Sequence, residues 1–331
     1  MDAFYDDKAA KELIEAWAVN MSGPNAPPAI HDFAVPACTV KVEHLSVKKL
    51  SGGYVSKVMI RGSNGRREEV VFTVVGALIK VDLPPVKKNQ YTPSSIKNAR
   101  QNATLAGFNT TKFNQALTAI QDVTYAVATS FPDGEMTPWT VDSSSDVFGD
   151  TLSANSRYFT FGHNIPENLK VPFNRYVDPA DVLSKFLNEQ VAHCVDNDVI
   201  YMELKNGKFV TKDPAGFRAG DIVEIGFAVT TFKSSKRDED IRHVTKLELR
   251  TLTLLDTTLS KSAYANRHNK ASGSNKIKSR RVHGGDQAAK RRRMYEEDSS
   301  DDETSQKFFS LTLGTKAKTD AGDSVMTSVH V

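Results

Sequence analysis

The residues of this chain best suited to chemistry are cations with aromatic rings set between them. Positions 83–121 carry Lys87, Lys88, Lys97, Arg100 and Lys112, contain no acid, and place Tyr91, Phe108 and Phe113 among the cations. Ammonium and guanidinium groups suit a phosphate backbone, and interleaved rings suit stacked bases. The same pattern also suits a solvated helix pair whose rings face a core.

A second concentration of cations lies further on. From Lys261 to Tyr295 there are eleven basic residues and one acid. They gather into KIKSRR (276–281) and KRRR (290–293). Lys276, Lys278, Arg280 and Arg281, then Lys290, Arg291, Arg292 and Arg293 after a slightly short spacer, resemble a bipartite nuclear localisation signal, which acidic grooves of an import receptor would read. Nonspecific contact with DNA or RNA and a merely solvated linker are the competing readings. EEDSSDDE (296–303) follows, with Ser299 and Ser300 each three residues before an acid, as an acidophilic kinase such as casein kinase 2 prefers. Phosphate there would set negative charge beside the basic cluster. The apolar patch from Phe308 to Leu313 reads as a docking peptide or a small added strand.

The net charge of +3 hides an uneven distribution. Lys261–Val331 holds 14 Lys/Arg and 9 Asp/Glu, a net of +5, which leaves 29 basic and 31 acidic residues, a net of −2, for 1–260. The body is therefore not a uniformly basic nucleic-acid binder, and polyanion contact has to come from local patches or the tail.

Catalytic signatures are not found. There is no Walker loop, GxSxG, HExxH or HxE…PCxxC pattern. The two cysteines, Cys38 and Cys194, form no CxxC and suit a reducing compartment. His193 and Cys194 are adjacent in a strand-like run, so their side chains point to opposite faces. DSSSD (142–146) is a loop without a partner. Neither an enzyme nor a metal or other cofactor is expected. No apolar run reaches 18 residues, and the acidic N-terminus lacks the basic flank of a signal peptide, so no membrane partner is expected.

The elements that must position these residues are mostly strands. Asp6 and Asp7 can cap a helix over 8–18 with Ala10, Leu13, Ile14 and Trp17 on one face, either a separate docking element or packed on the body. Residues 20–36 read as a linker and 38–81 as β, with Asn64-Gly65 as a hairpin turn and Val70–Val75 buried on both faces. PSSIKNARQNATLAGF reads as a weak helix, TTKFNQALTAI as a better one, and 123–131 as a strand. Residues 132–156 are turn-rich. A helix is expected over 179–188, with Asp178 as cap, then an Asn206-Gly207 hairpin. Two long strands follow, 221–232 and 241–256. The last alternates through Val244, Leu247, Leu249, Leu252 and Leu254, with a phase shift near 245 that suits a bulge.

GDIVEIGFAVTTF, a charged loop and KLELRTLTLLD resemble the strand pairs of OB-fold single-stranded-nucleic-acid-binding domains. The unit 176–256 is also similar to a segment of uncharacterised fungal nuclear proteins, some suspected of mobile-element origin. It departs from the OB pattern in placing its helix before the strands. The resemblance implies nucleic acid across exposed strand faces. Tyr201, Phe209, Phe227 and Phe232 would stack, and Lys246 and Arg250 would hold the backbone. Each ring taken singly is more often a core residue than a stacking platform.

The expected fold class is α+β, mostly β, with two sheet- or barrel-like regions, the second OB-like, few helices and a disordered C-terminal tail. The expected divisions are 1–36, an N-terminal helix and linker; 37–131, β-rich with a helical insertion; 132–156, a linker; 157–258, β-rich and OB-like; and 259–331, the tail. The expected function is nuclear, non-catalytic binding of single-stranded DNA or RNA. The alternative is a nuclear protein-interaction or assembly factor with no nucleic-acid site in the body. An import receptor and a protein partner are the other expected partners.

Overall fold

The computed structural model describes residues 3–21, 28–34, 44–50, 55–61, 65–87, 90–137, 139–143, 148–236 and 239–278. In chain order the elements are α1 (Asp7–Met21), β1 (Leu45–Lys49), β2 (Val55–Arg61), β3 (Arg67–Glu69), β4 (Phe72–Asp82), β5 (Arg100–Ala106), α2 (Thr111–Ala128), β6 (Met136–Thr137), β7 (Asp142–Ser143), β8 (Asp150–Arg157), β9 (Thr160–Phe161), β10 (Val191–Ala192), β11 (Ile200–Lys205), β12 (Lys208–Thr211), β13 (Ile222–Lys236), β14 (Glu239–Asp256) and α3 (Thr258–Lys278). Mostly β with three α-helices among the described residues, the chain forms one large sheet and a small one made of β9 and β10.

The large sheet runs β1–β2–β13–β4–β5–β8–β14–β11–β12, with β3 on β2, β6 on β14 and β7 on β8. β13 also pairs along β14, so β13, β4, β5, β8 and β14 close into a ring of five strands. Four junctions of the ring are antiparallel. The fifth, β8–β14, is parallel and meets at Glu248 and Asn155. Strands from 37–131 and from 157–258 therefore share this sheet, and β8, in the turn-rich stretch 132–156, joins them.

Alternation decides what faces inward. Phe72, Val74 and Leu78 of β4, Ala103 and Leu105 of β5, Leu152 and Ala154 of β8, Ile225 and Phe227 of β13, and Leu247, Leu249 and Leu252 of β14 share one buried cluster. α2 adds Phe113, Leu117, Ile120 and Val123 to it. Gly107 makes room for this, since a Cβ there would lie 2.2 Å from the Phe113 ring. On the other side of β4, α1 buries Ala10, Ile14 and Ala18 against Val75, Ala77, Phe108 and Ile222. Asp6 caps α1 by accepting from the Ala9 N–H at 3.0 Å, and β4 is buried on both faces from Phe72 to Leu78.

β2 and β3 pair antiparallel, with Asn64 outside the described residues, and the Asn206-Gly207 turn joins the antiparallel β11 and β12. Asn206 and Gly207 have φ of 52° and 74°, which a two-residue primed turn requires.

Several local expectations are corrected. Residues 100–106 form β5, because Ala103 and Leu105 turn inward while Asn102 and Thr104 turn out. The expected strand at 123–131 is mostly the second half of α2, where Ile120, Val123 and Val127 continue the helical spacing. No α-helix forms at 179–188. The Asp178 carboxylate instead accepts from the backbone N–H groups of Val182, Leu183 and Ser184, and Asp181 takes a φ of 52° that ends any helical run. No register shift of β14 lies near 245; two lie at Arg250, where Leu249 and Thr251 pair with the adjacent Phe227 and Gly226, and at Leu255, where Leu254 and Asp256 pair with the adjacent Val223 and Ile222. Residues 258–278, most of them placed in the tail by sequence, form α3.

Candidate nucleic-acid interface

β5 and β8 pair with Arg100 opposite Arg157, Asn102 opposite Asn155 and Thr104 opposite Ser153. Since Ala103, Leu105, Leu152 and Ala154 are in the core, these six polar residues occupy the outer face of the ring. β14 contributes Lys246 beside them and β13 contributes Phe232. The Lys246 Nζ lies 5.0 Å from the Phe232 ring centroid and the Arg157 Cζ lies 5.8 Å from it. Arg100 donates from Nη1 to Asn155 Oδ1 at 3.3 Å. One partly covered ring thus has two cations over it and a third beside them.

These cations feel one another. Burial, then Arg100 and Arg157, lower the Lys246 pKa, and Glu248 opposes the shift. Burial, then Arg157, lower that of Arg100. A phosphate placed on this face would relieve the crowding of these cations. Tyr91 stands at its rim, where burial and then Asp82 raise its hydroxyl pKa while hydrogen bonds from the Arg100 backbone and Gln90 act the other way. Asp82 pairs with Asn102 at one end of this outer row, and Glu248 pairs with Asn155 at the other.

Of the residues singled out in the sequence, Arg100, Phe232 and Lys246 come together here. Lys87 and Lys97 are exposed in the segment between β4 and β5, and Lys88 lies outside the described residues. Lys112 sits in the first turn of α2, where its backbone N–H donates to Glu15, away from this face. Tyr201 is corrected to a core residue, 5% exposed, with its hydroxyl bonded to Gln101. Phe227 is fully buried, and Phe209 is exposed on β12. Arg250 is also corrected: its guanidinium makes a two-pronged pair with Glu69 at 2.8 and 3.0 Å and a further bond to Glu248 at 2.9 Å. It belongs to a network in which Lys57 reaches Glu69 and Asp196.

Arg157 is the member of the site that sequence reasoning missed. Its signal was the polar alternation Ser153, Asn155, Arg157 inside a stretch read as turns. Lys276 and Lys278 lie on the backbone of α3, but their side chains are outside the described residues, as are Arg280, Arg281, Lys290, Arg291, Arg292, Arg293, Ser299 and Ser300.

His193 and Cys194 have structural roles. His193 Nδ1 shares a hydrogen bond with the Tyr158 carbonyl at 2.8 Å and its ring stacks on Phe173. Burial pushes the Cys194 thiol pKa up, away from the reactive thiolate. Among the described residues no group of three or more His, Cys, Asp or Glu is placed to hold a metal ion, and no helix is long and apolar enough to cross a membrane.

Comparison with models of protein families and with curated protein sequences finds no match to this chain.

Proposed function

We propose that the protein is a non-catalytic nuclear binder of single-stranded DNA or RNA that grips its ligand on the outer β5–β8–β14–β13 face. The observation that carries this reading is Phe232 beneath both Lys246 and Arg157, with Arg100 opposite Arg157. A base stacking on Phe232 is worth about 1–3 kcal/mol. The adjacent cations would hold the phosphates on either side of that base, while Asn102 and Asn155 offer amide groups to base edges or sugar. The ring of five strands suits the small-barrel architecture implied by the OB-fold resemblance.

Nuclear address and import-receptor binding are proposed from the basic clusters at 276–281 and 290–293. Ser299 and Ser300 are proposed as phosphorylation sites that would weaken polyanion contact by the neighbouring cations. The decisive experiment for the body is oligothymidylate binding by the full chain and its Phe232→Ala variant. Affinity is expected to fall about tenfold, and equal affinity would overturn the reading.

One observation favours a second reading, protein interaction or assembly. β12 is an edge strand of the large sheet, with Phe209 54% and Val210 41% exposed. Such an edge can accept a strand from another protein. Loss of a partner on Val210→Lys, with oligonucleotide binding unchanged, would separate the two.

A further inference from the structure

The outer face of the sheet carries a second pair of facing arginines. Across the β2–β3 ladder Arg61 stands directly opposite Arg67, as Arg100 stands opposite Arg157 across β5–β8. Both side chains are exposed, and among the described residues neither is ion-paired. They line an open cleft of about 480 Å³ together with His44, Ser46 and Gly65. Like charges set directly opposite each other on neighbouring strands destabilise a sheet. Two such guanidinium pairs on one outer face are therefore better explained by a shared anionic ligand than by folding.

The two pairs lie on a common path. β2 pairs with β13 at Val55 and Phe232, and Val55, Lys57 and Arg61 share one face of β2 by strand alternation. Val58 and Ile60, on the opposite face, pack with the core. Arg61 is six residues along β2 from the position beside Phe232, about 20 Å at strand rise. Between them lie Met59, Lys57 paired with Glu69 and Asp196, and, opposite Lys57 on β1, the exposed Lys48.

Resting on the functional reading above, we infer that the β2–β3 cleft is a second phosphate-contact subsite, which extends the interface from Phe232 to Arg61 and Arg67 along a single nucleic-acid strand. The ligand class is a polynucleotide backbone, read by charge and without base specificity at this end. A short oligonucleotide fills the Phe232 subsite alone, and a longer one reaches both.

The test compares full-length wild type, Arg61→Gln/Arg67→Gln and Arg100→Gln/Arg157→Gln against oligothymidylates of about 5 and about 15 nucleotides, lengths within the range of single-strand binding sites. Circular dichroism of each variant checks the fold. For the Arg61/Arg67 variant we expect unchanged affinity for the short probe and about tenfold weaker binding of the long one. Its slope of log affinity against log salt should be shallower by about 1.4, as two lost phosphate contacts require. Wild-type affinity and salt slope on the long probe would overturn the subsite. An equal loss on both probes would also overturn it, because the arginines would then be acting through the fold. If the Arg100/Arg157 variant loses binding while the Arg61/Arg67 variant does not, the functional reading stands and the subsite falls. No binding of either probe by wild type overturns both.

Discussion

Arg100 stands directly opposite Arg157 across the β5–β8 ladder. A facing like-charge pair weakens a sheet by roughly 0.2–1 kcal/mol, while the contact of Arg157 with Phe232 returns roughly 0.5–1 kcal/mol. Arg157→Gln removes both. The free protein should then unfold in urea within about 0.5 kcal/mol of wild type, while its affinity for single-stranded nucleic acid falls about tenfold. Stability and affinity falling together would mark Arg157 as a structural residue instead.

Glu224, on β13, is 8% exposed. Burial pushes its pKa up to about 7, against the hydrogen bond from Thr73. The native state therefore holds this proton more tightly than the unfolded chain, whose carboxyl titrates near the ordinary glutamate value of about 4.3. Stability from this group is fully present below about pH 4 and is lost as pH rises through about 7. Glu224→Gln should stabilise the protein at pH 8 by roughly 1–3 kcal/mol relative to wild type and by much less at pH 5. Urea titrations at the two pH values check it, and an equal difference at both would refute it.

Arg250 neutralises Glu69 and Glu248 in a site where it is itself 9% exposed. Removing one partner of a buried ion network leaves uncompensated charge, at a cost of about 3–5 kcal/mol. Arg250→Met is expected to fall in that range in chemical denaturation. Adding Glu69→Gln and Glu248→Gln should recover much of it. A loss under about 1 kcal/mol would show that solvent screens the pair.

At Gly107 a methyl group would lie 2.2–2.4 Å from carbons of Phe113. Gly107→Ala should therefore destabilise by about 1–3 kcal/mol through overpacking. Phe113→Leu in the same chain should restore part of the loss. Thermal unfolding of the single and double variants decides it, and additive losses would mean the two positions do not collide.

What could be read from the sequence was local. The Asn206-Gly207 turn, the Asp6 cap of α1 and the two long strands β13 and β14 rest on neighbouring residues, and their chemistry is visible at short range. β5 was hidden because RQNATLA has a single strand former, Thr104, and pairing between β4 and β8 makes it a strand. The last turns of α2 were hidden because Val123, Thr124 and Val127 are β-branched yet pack onto the core. The site was legible in its residue types and illegible in its membership. Arg157 meets Arg100 only through register, and Tyr201 and Phe232 look alike until burial separates them. The role of Arg250 depends on Glu69, 181 positions earlier.

The ring described above also constrains the order in which the protein can be made. Its first strand begins at Phe72 and its last ends at Asp256, and both neighbours of β13 in the ring must be present before it can close. A nascent chain that has emerged only as far as β8 carries β4, β5 and β8, with the edge of β4 that β13 will occupy still open. Such an edge recruits other strands as readily as its own partner. Ring closure therefore waits for the β13–β14 hairpin, the last part of the ring to emerge from the ribosome.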